Sequence, residues 1–391
     1  MCTRFRNHSV TLLREKEVAM RKGIRMATLA ASLLLVFGHA LAAEQYTLKI
    51  QTAVPSASIY FQIIERMGKR IEAMSGGRLK VEVLPDGAVV GAFQILDAVH
   101  KGIVNGGQAW THYWSGKHPA GLLFSAPVGG LGVGLDQLGT VSWIYEGGGD
   151  ELLQEYFTKI LKYDIKAFMC MPMGPEPFGW FAKPWNSLEE LKKVKFRSPP
   201  GIPAETFKEL GIPVVSMPGG EIVPAAQRGV IDAAEWISPA DDRNLGLHTV
   251  WKNYYLQGLH QAISIGDVYV NLTWWNKLPE DLKEIFKAGI MSCITDMYNW
   301  NVSKNSQALK ELVEKDGVKV YETPDEYVKA YMEAAEKVLN KYAAQDEFFR
   351  KVLNSMREWA KLTVPYQAYA NGVYAKMGKT ALEKGVVGYG K

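Results

Sequence analysis

Three charged residues sit in settings that could hold a small anion or a metal ion. Arg197 lies in Lys195-Phe-Arg-Ser-Pro-Pro-Gly201. It ends an apolar strand, and two prolines and a glycine fix the backbone after it. A guanidinium held this way suits bidentate capture of a carboxylate. A surface Arg paired with a nearby Glu is the plainer alternative. Glu176 lies in Met173-Gly-Pro-Glu-Pro-Phe-Gly-Trp180, where a proline on each side stiffens an extended loop and aims the carboxylate. Its alternative is an ordinary loop Glu. Glu235 ends the stretch Gly229-Val-Ile-Asp-Ala-Ala-Glu-Trp236. A carboxylate on an apolar strand end needs an Arg, a Lys or a metal beside it, because buried charge is costly unless compensated. Glu176 and Glu235 together could also act as the acid/base pair of a secreted lyase or hydrolase.

Other chemistry is not written in the sequence. There is no Gly-x-Ser-x-Gly, no His-Glu-x-x-His and no Walker loop. Gly129-Gly-Leu-Gly-Val-Gly134 lacks dinucleotide-loop spacing and reads as a surface turn or ligand-lining loop. The seven histidines are scattered, so no zinc cluster is visible.

The elements that position these residues repeat. Lys101-Gly-Ile-Val-Asn-Gly-Gly-Gln-Ala-Trp110 echoes Arg228-Gly-Val-Ile-Asp-Ala-Ala-Glu-Trp236. Each has a basic residue, a glycine, a branched pair, Asn or Asp, then small residues ending at Trp. Each follows a helix-like segment after a turn, Pro85-Asp-Gly87 or Pro218-Gly-Gly220. The pattern predicts helix, glycine cap and a short buried strand whose end faces a crevice shared by two lobes. Around the first unit, Tyr46-Thr-Leu-Lys-Ile-Gln51 alternates as a strand. Positions 60, 63, 64, 67, 71 and 74 recur at helical spacing, and Leu79-Lys-Val-Glu-Val83 alternates again. A second strand–helix series begins near Lys166 with Ala167-Phe-Met-Cys-Met171. From Pro279 the chain is strongly helical, and residues 325–377, punctuated by Asp346 and Pro365, could form a long amphipathic helix.

Arg21, Lys22 and Arg25 precede an apolar stretch over 26–43 that ends in Ala40-Leu-Ala42, a secretory signal with a cleavage site. Residues 1–42 hold seven Lys or Arg and two Asp or Glu, so the +4 of the whole chain becomes 38 basic against 39 acidic residues, or −1. No basic patch remains to suggest nucleic acid. Cys170 and Cys293 lie in apolar runs and read as buried free thiols.

The blocks Lys195–Gly201, Ala204-Glu-Thr-Phe-Lys-Glu-Leu-Gly211, Met217-Pro-Gly-Gly-Glu221 and Gly229–Trp236 together resemble the substrate-binding subunits of TRAP transporters. Trp114-Ser-Gly-Lys-His-Pro-Ala120 and Tyr254-Tyr-Leu-Gln-Gly258 extend the resemblance, which covers nearly all of the mature chain. It is nearest the branch that binds 2-oxo and 2-hydroxy monocarboxylates with a metal ion. The resemblance implies an α/β, two-lobed periplasmic binding protein of type II-like form with a long C-terminal helix. It implies no enzyme activity, a small carboxylate ligand, a membrane permease as partner, and a homodimer joined by that helix. C4-dicarboxylate or sugar-acid binding is the alternative. The expected segments are 1–42 (extension and signal), 43–166 (first lobe), 167–264 (second lobe) and 265–391 (returning segments and helical region). The expected substrate set is Arg197, Glu176, Trp236, Glu235, Tyr113, Trp114 and Gln261. By resemblance Arg197 takes the carboxylate, while Glu235, the Trp236 carbonyl and position 176 hold the metal. Position 176 is a departure, Glu where the branch has Gln. Glu176, Glu235 and a substrate carboxylate bring three negative charges and Arg197 one positive. A divalent ion would balance them, so Ca²⁺ is expected, with Na⁺ second.

Overall fold

The alternating residues that follow the expected signal segment form β1 (Tyr46–Thr52), with Leu48 and Ile50 buried. The computed structural model describes Met20 and residues 44–217, 219–261 and 263–389. The expected signal segment at 26–43 lies outside the described residues. Ser58 caps α1 (Ile59–Met74), its hydroxyl accepting from the Tyr60 N–H at 3.2 Å. Tyr60, Ile63, Ile64, Met67 and Ile71 form the stripe that α1 buries. The other strands are β2 (Leu79–Leu84), β3 (Gly106–Ala109), β4 (Ile165–Pro172), β5 (Gly179–Phe181), β6 (Phe196–Arg197), β7 (Val214–Val215), β8 (Ala233–Ala234), β9 (Asn253–Tyr255), β10 (Ile265–Asn271) and β11 (Lys319–Tyr321).

They make two mixed sheets. One has the order β2-β1-β3-β10-β4, the other β11-β9-β5-β8-β6-β7. In the first, β1 runs parallel to β2 and β3, as the early strand–helix–strand pattern requires. Strand β4 differs from expectation. It was read as opening the second series, yet it joins the first sheet beside β10. Its antiparallel partner lies far along the chain, so local pattern could not reveal the pairing. The first sheet therefore keeps the chain until Pro172 instead of residue 166.

Two crossover segments connect the sheets and lie side by side. The Met173 N–H donates to the Ser264 carbonyl at 2.8 Å, and the Glu176 N–H donates to the Gln261 carbonyl at 3.2 Å. Gly258 is required by this closeness, because a Cβ there would lie 2.1 Å from the Glu176 carbonyl oxygen. Farther along, α2 (Pro239–Leu245) packs on α3 (Glu280–Glu314), and α3 also packs on α1 and β4, so it touches elements of both sheets. Helices α4 (Asp325–Gln345) and α5 (Glu347–Glu383) close the chain. The break falls at Asp346, whose carboxylate accepts from the Phe349 N–H at 2.5 Å and caps α5. Pro365 lies within α5 and does not end it. Cys170 and Cys293 are buried free thiols. Among the described residues no helix is long and apolar enough to cross a membrane.

Candidate functional site

Arg197 leaves the end of β6 and turns inward. The Ser198 N–H donates to Val215 at 3.1 Å, and Gly201 takes a positive φ of 86°, which fixes the turn after the strand. Nε and Nη2 both donate to the Met217 carbonyl, at 3.1 and 2.8 Å. Nη1 donates to Glu235 Oε1 in a buried ion pair. The plainer alternative of a surface pair fails on burial, since Arg197 is 7% exposed and Glu235 2%. The guanidinium also stands 5.6 Å from the Trp236 ring centroid. That ring lies on Gly219, where a Cβ would come within 2.2 Å of it.

Glu176 and His260 arrive on the two crossovers. Pro175 and Pro177 leave the Glu176 carboxylate pointing into the crevice, where it is buried. Burial, and then the charge of Glu235, push its carboxyl well above the usual range, against the pull of Arg197. Burial raises Glu235 as well, with Arg197 opposing. His260 is fully buried, and its pKa is lowered to about 3 by burial and by Arg197. Its Nε2 stands 3.9 Å from Glu176 Oε2 and 4.0 Å from Glu235 Oε2. With a neutral ring these contacts are no ion pairs, and they are too long for hydrogen bonds. Behind the strand end, Asp242 accepts from Trp180 and Tyr254 at 2.8 Å each and from the Ser238 N–H at 3.0 Å, which anchors the segment following Trp236.

Arg197, Glu176, Glu235 and Trp236 line a cavity of about 70 Å³ with Trp110, His112, Tyr113, Met173, Pro199 and Gln261, and His260 lies behind the two carboxylates. Arg197, Glu176, Glu235, Trp236, Tyr113 and Gln261 are thus brought together. Trp114 is not. The turn over Thr111–Trp114 faces Tyr113 to the cavity and Trp114 to the core, where its Nε1 donates to Phe93 at 3.1 Å and its ring meets Tyr269 edge-on. The Gly129–Gly134 loop does not line the cavity either. It packs on α4, and the Gly129 N–H donates to the Leu259 carbonyl at 2.7 Å, steadying the residue before His260. Sequence reasoning missed Trp110, although the echo ended on it. It also missed His260, because scattered histidines gave no spacing to read.

The arrangement can bind a cation and an anion at once. Glu176, Glu235 and His260 each offer a donor atom, all within 4.8 Å of one another. Two carboxyl groups and a buried neutral ring fit a metal ion, and the guanidinium beside them can face a carboxylate.

Residues 50–346 match the family model described as bacterial extracellular solute-binding protein, family 7. The chain is 33% identical over 313 residues to the monocarboxylate 2-oxoacid-binding periplasmic protein of a Nostoc species, covering 80% of this chain and 84% of that protein. Its fold matches a TRAP transporter solute-binding protein from Bordetella bronchiseptica with a TM-score of 0.78 at 26% identity, over 88% of this chain and 99% of that one. That structure is a mixed-occupancy dimer with copurified calcium and picolinate in one site and the other site apo. A second structure, a TRAP periplasmic solute-binding protein from Pseudoalteromonas atlantica with bound sodium and pyruvate, matches with a TM-score of 0.76 at 28% identity, over 85% of this chain and 99% of that one.

Proposed function

The chain belongs to family 7 of the bacterial extracellular solute-binding proteins, the receptors of TRAP transporters, and from that premise we propose that its crevice captures a small 2-oxo or 2-hydroxy monocarboxylate through a bridging cation. Relatives in this family are solute-binding receptors of the periplasm. The observation that carries the ligand reading is the buried convergence of Glu176 and Glu235 beside Arg197.

In this reading Arg197 takes the substrate carboxylate in a charge-assisted pair. Glu176, Glu235 and the Trp236 carbonyl would hold the cation, which would supply positive charge to the oxygens of the ligand. The Trp236 ring and Tyr113 wall the pocket, and Gln261 borders it. Between calcium and sodium the charge count favours calcium, because a monovalent ion would leave a closed site at −1. The lobes divide as first sheet and second sheet, with the segments at 173–178 and 256–261 as hinge. A ligand touching both lobes favours the closed state by its differential affinity. The closed receptor then delivers its cargo to a membrane permease. Export by cleavage near Ala42, and pairing of two copies through α5, complete the proposal.

A thermal-shift titration tests it. Pyruvate with Ca²⁺ at about a hundred times its dissociation constant should raise Tm by about 2–4 °C. Exhaustive chelation in sodium-free buffer should abolish the shift. An undiminished shift after chelation would remove the bridging ion and return Glu176 to being a loop carboxylate.

A further inference from the structure

His260 is completely buried, yet neither ring nitrogen has a hydrogen-bond partner among the described residues. Phe178, Phe196 and Phe207 surround it, with ring centroids 6.4, 6.4 and 5.8 Å away. A core histidine normally sets at least one ring nitrogen against a carbonyl, hydroxyl or water, because an orphaned buried polar group is costly. Here Nε2 instead stands at 3.9 and 4.0 Å from oxygens of two buried carboxylates. That spacing is too long for hydrogen bonds. It matches donors arranged around one ion, since an ion ~2.0–2.5 Å from each ligand separates them by roughly 3–4.5 Å.

We infer that His260 Nε2 is a third protein ligand to the cation, beside Glu176 and Glu235, and that this nitrogen makes the site prefer a divalent transition ion such as Mn²⁺ or Co²⁺ over calcium. The inference rests on the reading of the crevice as a cation-bridged carboxylate site and deepens it.

The donor set carries the preference. Calcium takes six to eight oxygens in a flexible shell and gains little from an imidazole. First-row divalent ions accept imidazole and carboxylate together, and two carboxylates with one histidine leave open positions for a substrate carboxylate and its 2-oxygen. The support is rigid. The Leu259 carbonyl is held by the Gly129 N–H, and Gly258 presses on the backbone of Glu176, so the two crossovers fix His260 and Glu176 relative to each other. The ring's orientation is set by the three phenylalanines and not by a hydrogen bond at its other nitrogen.

The test uses the exported chain, stripped with chelator and reloaded. Mn²⁺ with pyruvate should give a pulsed EPR signal showing nitrogen coupling from one directly bound imidazole. Calorimetry should find Mn²⁺ bound about tenfold or more tightly than Ca²⁺, and His260→Gln should erase most of that preference. Bound Mn²⁺ without nitrogen coupling overturns the inference and leaves the cation-bridged site standing. So does an unchanged preference in a folded His260→Gln protein. The EPR arm needs no variant, so a misfolded substitution does not remove the test. Failure of Mn²⁺, Co²⁺ and Ca²⁺ alike to bind, with or without pyruvate, overturns both the inference and the reading beneath it.

Discussion

The two strand ends that echo each other in sequence reach the same cavity with opposite chemistry. From β3 the chain runs into Trp110, His112 and Tyr113, a neutral aromatic wall. Trp110 Nε1 donates to Met173 Sδ at 2.9 Å. His112 is tied to Ser125 Oγ through its N–H at 2.8 Å and its ring at 2.9 Å, and burial lowers its pKa to about 3. From β8 the chain runs into Glu235 and Trp236, with Arg197 beside them on β6. One backbone device, a short buried strand ending in Trp, thus delivers a cover on one side and charge on the other. Uneven walls suit a receptor. In the proposed function the charged wall and the crossover residues would hold ion and anion before closure, and the aromatic wall would then exclude water and raise the worth of every charge inside.

If this division is right, the largest loss comes from the charged wall. Arg197→Lys keeps the charge but loses the planar fork, which both meets a carboxylate and makes three bonds to Met217 and Glu235. Pyruvate affinity should fall by about 2 kcal/mol, roughly thirtyfold, or more. Calorimetry showing unchanged affinity would take Arg197 out of the binding set and dissolve the contrast between the walls.

Glu176→Gln sharpens it further. The substitution keeps shape and removes one negative charge, so the balance moves toward a monovalent ion. Pyruvate binding in calcium should weaken by about tenfold, and sodium should support binding as well as calcium or better. Titrations in buffers containing a single cation would measure this. An unchanged order of cations would show that the charge count does not set ion choice.

A change on the aromatic wall should cost less. Tyr113→Ala removes part of the cover and leaves every charged contact in place. We expect a loss of about three- to tenfold, most of it in the dissociation rate, measured by stopped-flow tryptophan fluorescence. A loss as large as that of Arg197→Lys would mean the walls share the binding energy evenly.

How much of this could be read from sequence follows from where each constraint sits. Arg197, Glu176 and Glu235 were legible because their aim is set locally, by Pro-Pro-Gly, by flanking prolines and by an apolar strand end. The parallel start of the first sheet was legible from periodicity. His260 was not, because its neighbours come from β6, from the end of β8, from the helical segment around Phe207 and from the other crossover, and no spacing joins them. Trp114 was misplaced because adjacent residues of one short helical turn face opposite ways, Tyr113 to the cavity and Trp114 to the core. β4 was assigned to the wrong sheet because its partner β10 enters only after five strands of the second sheet have been made. Locally imposed conformation was readable, and long-range pairing was not.

The smallest effect on binding should come from the part of the chain that contrasts most with the crevice, the far half of α5. Its first half is buried through Phe348, Phe349, Val352, Leu353, Met356 and Ala360. Beyond that, Leu362, Tyr366, Tyr369, Val373 and Met377 recur at the spacing of one helical face, and they are exposed, Leu362 by 70% and Tyr369 by 90%. Large apolar side chains gathered on one exposed stripe usually mark an interface, and a second copy of the chain supplies a matching stripe by symmetry. Tyr366→Lys with Tyr369→Lys places like charges on that face without touching the core, so the fold should survive. Light scattering at micromolar concentration should then report a dimer for the unaltered protein and a monomer for the variant. Pyruvate affinity should stay within about twofold, since the cavity takes no lining residue from α5. A monomer mass for the unaltered protein would leave the stripe without a partner copy. A large loss of affinity in the monomeric variant would mean that the crevice depends on pairing, and that the charged wall does not act alone.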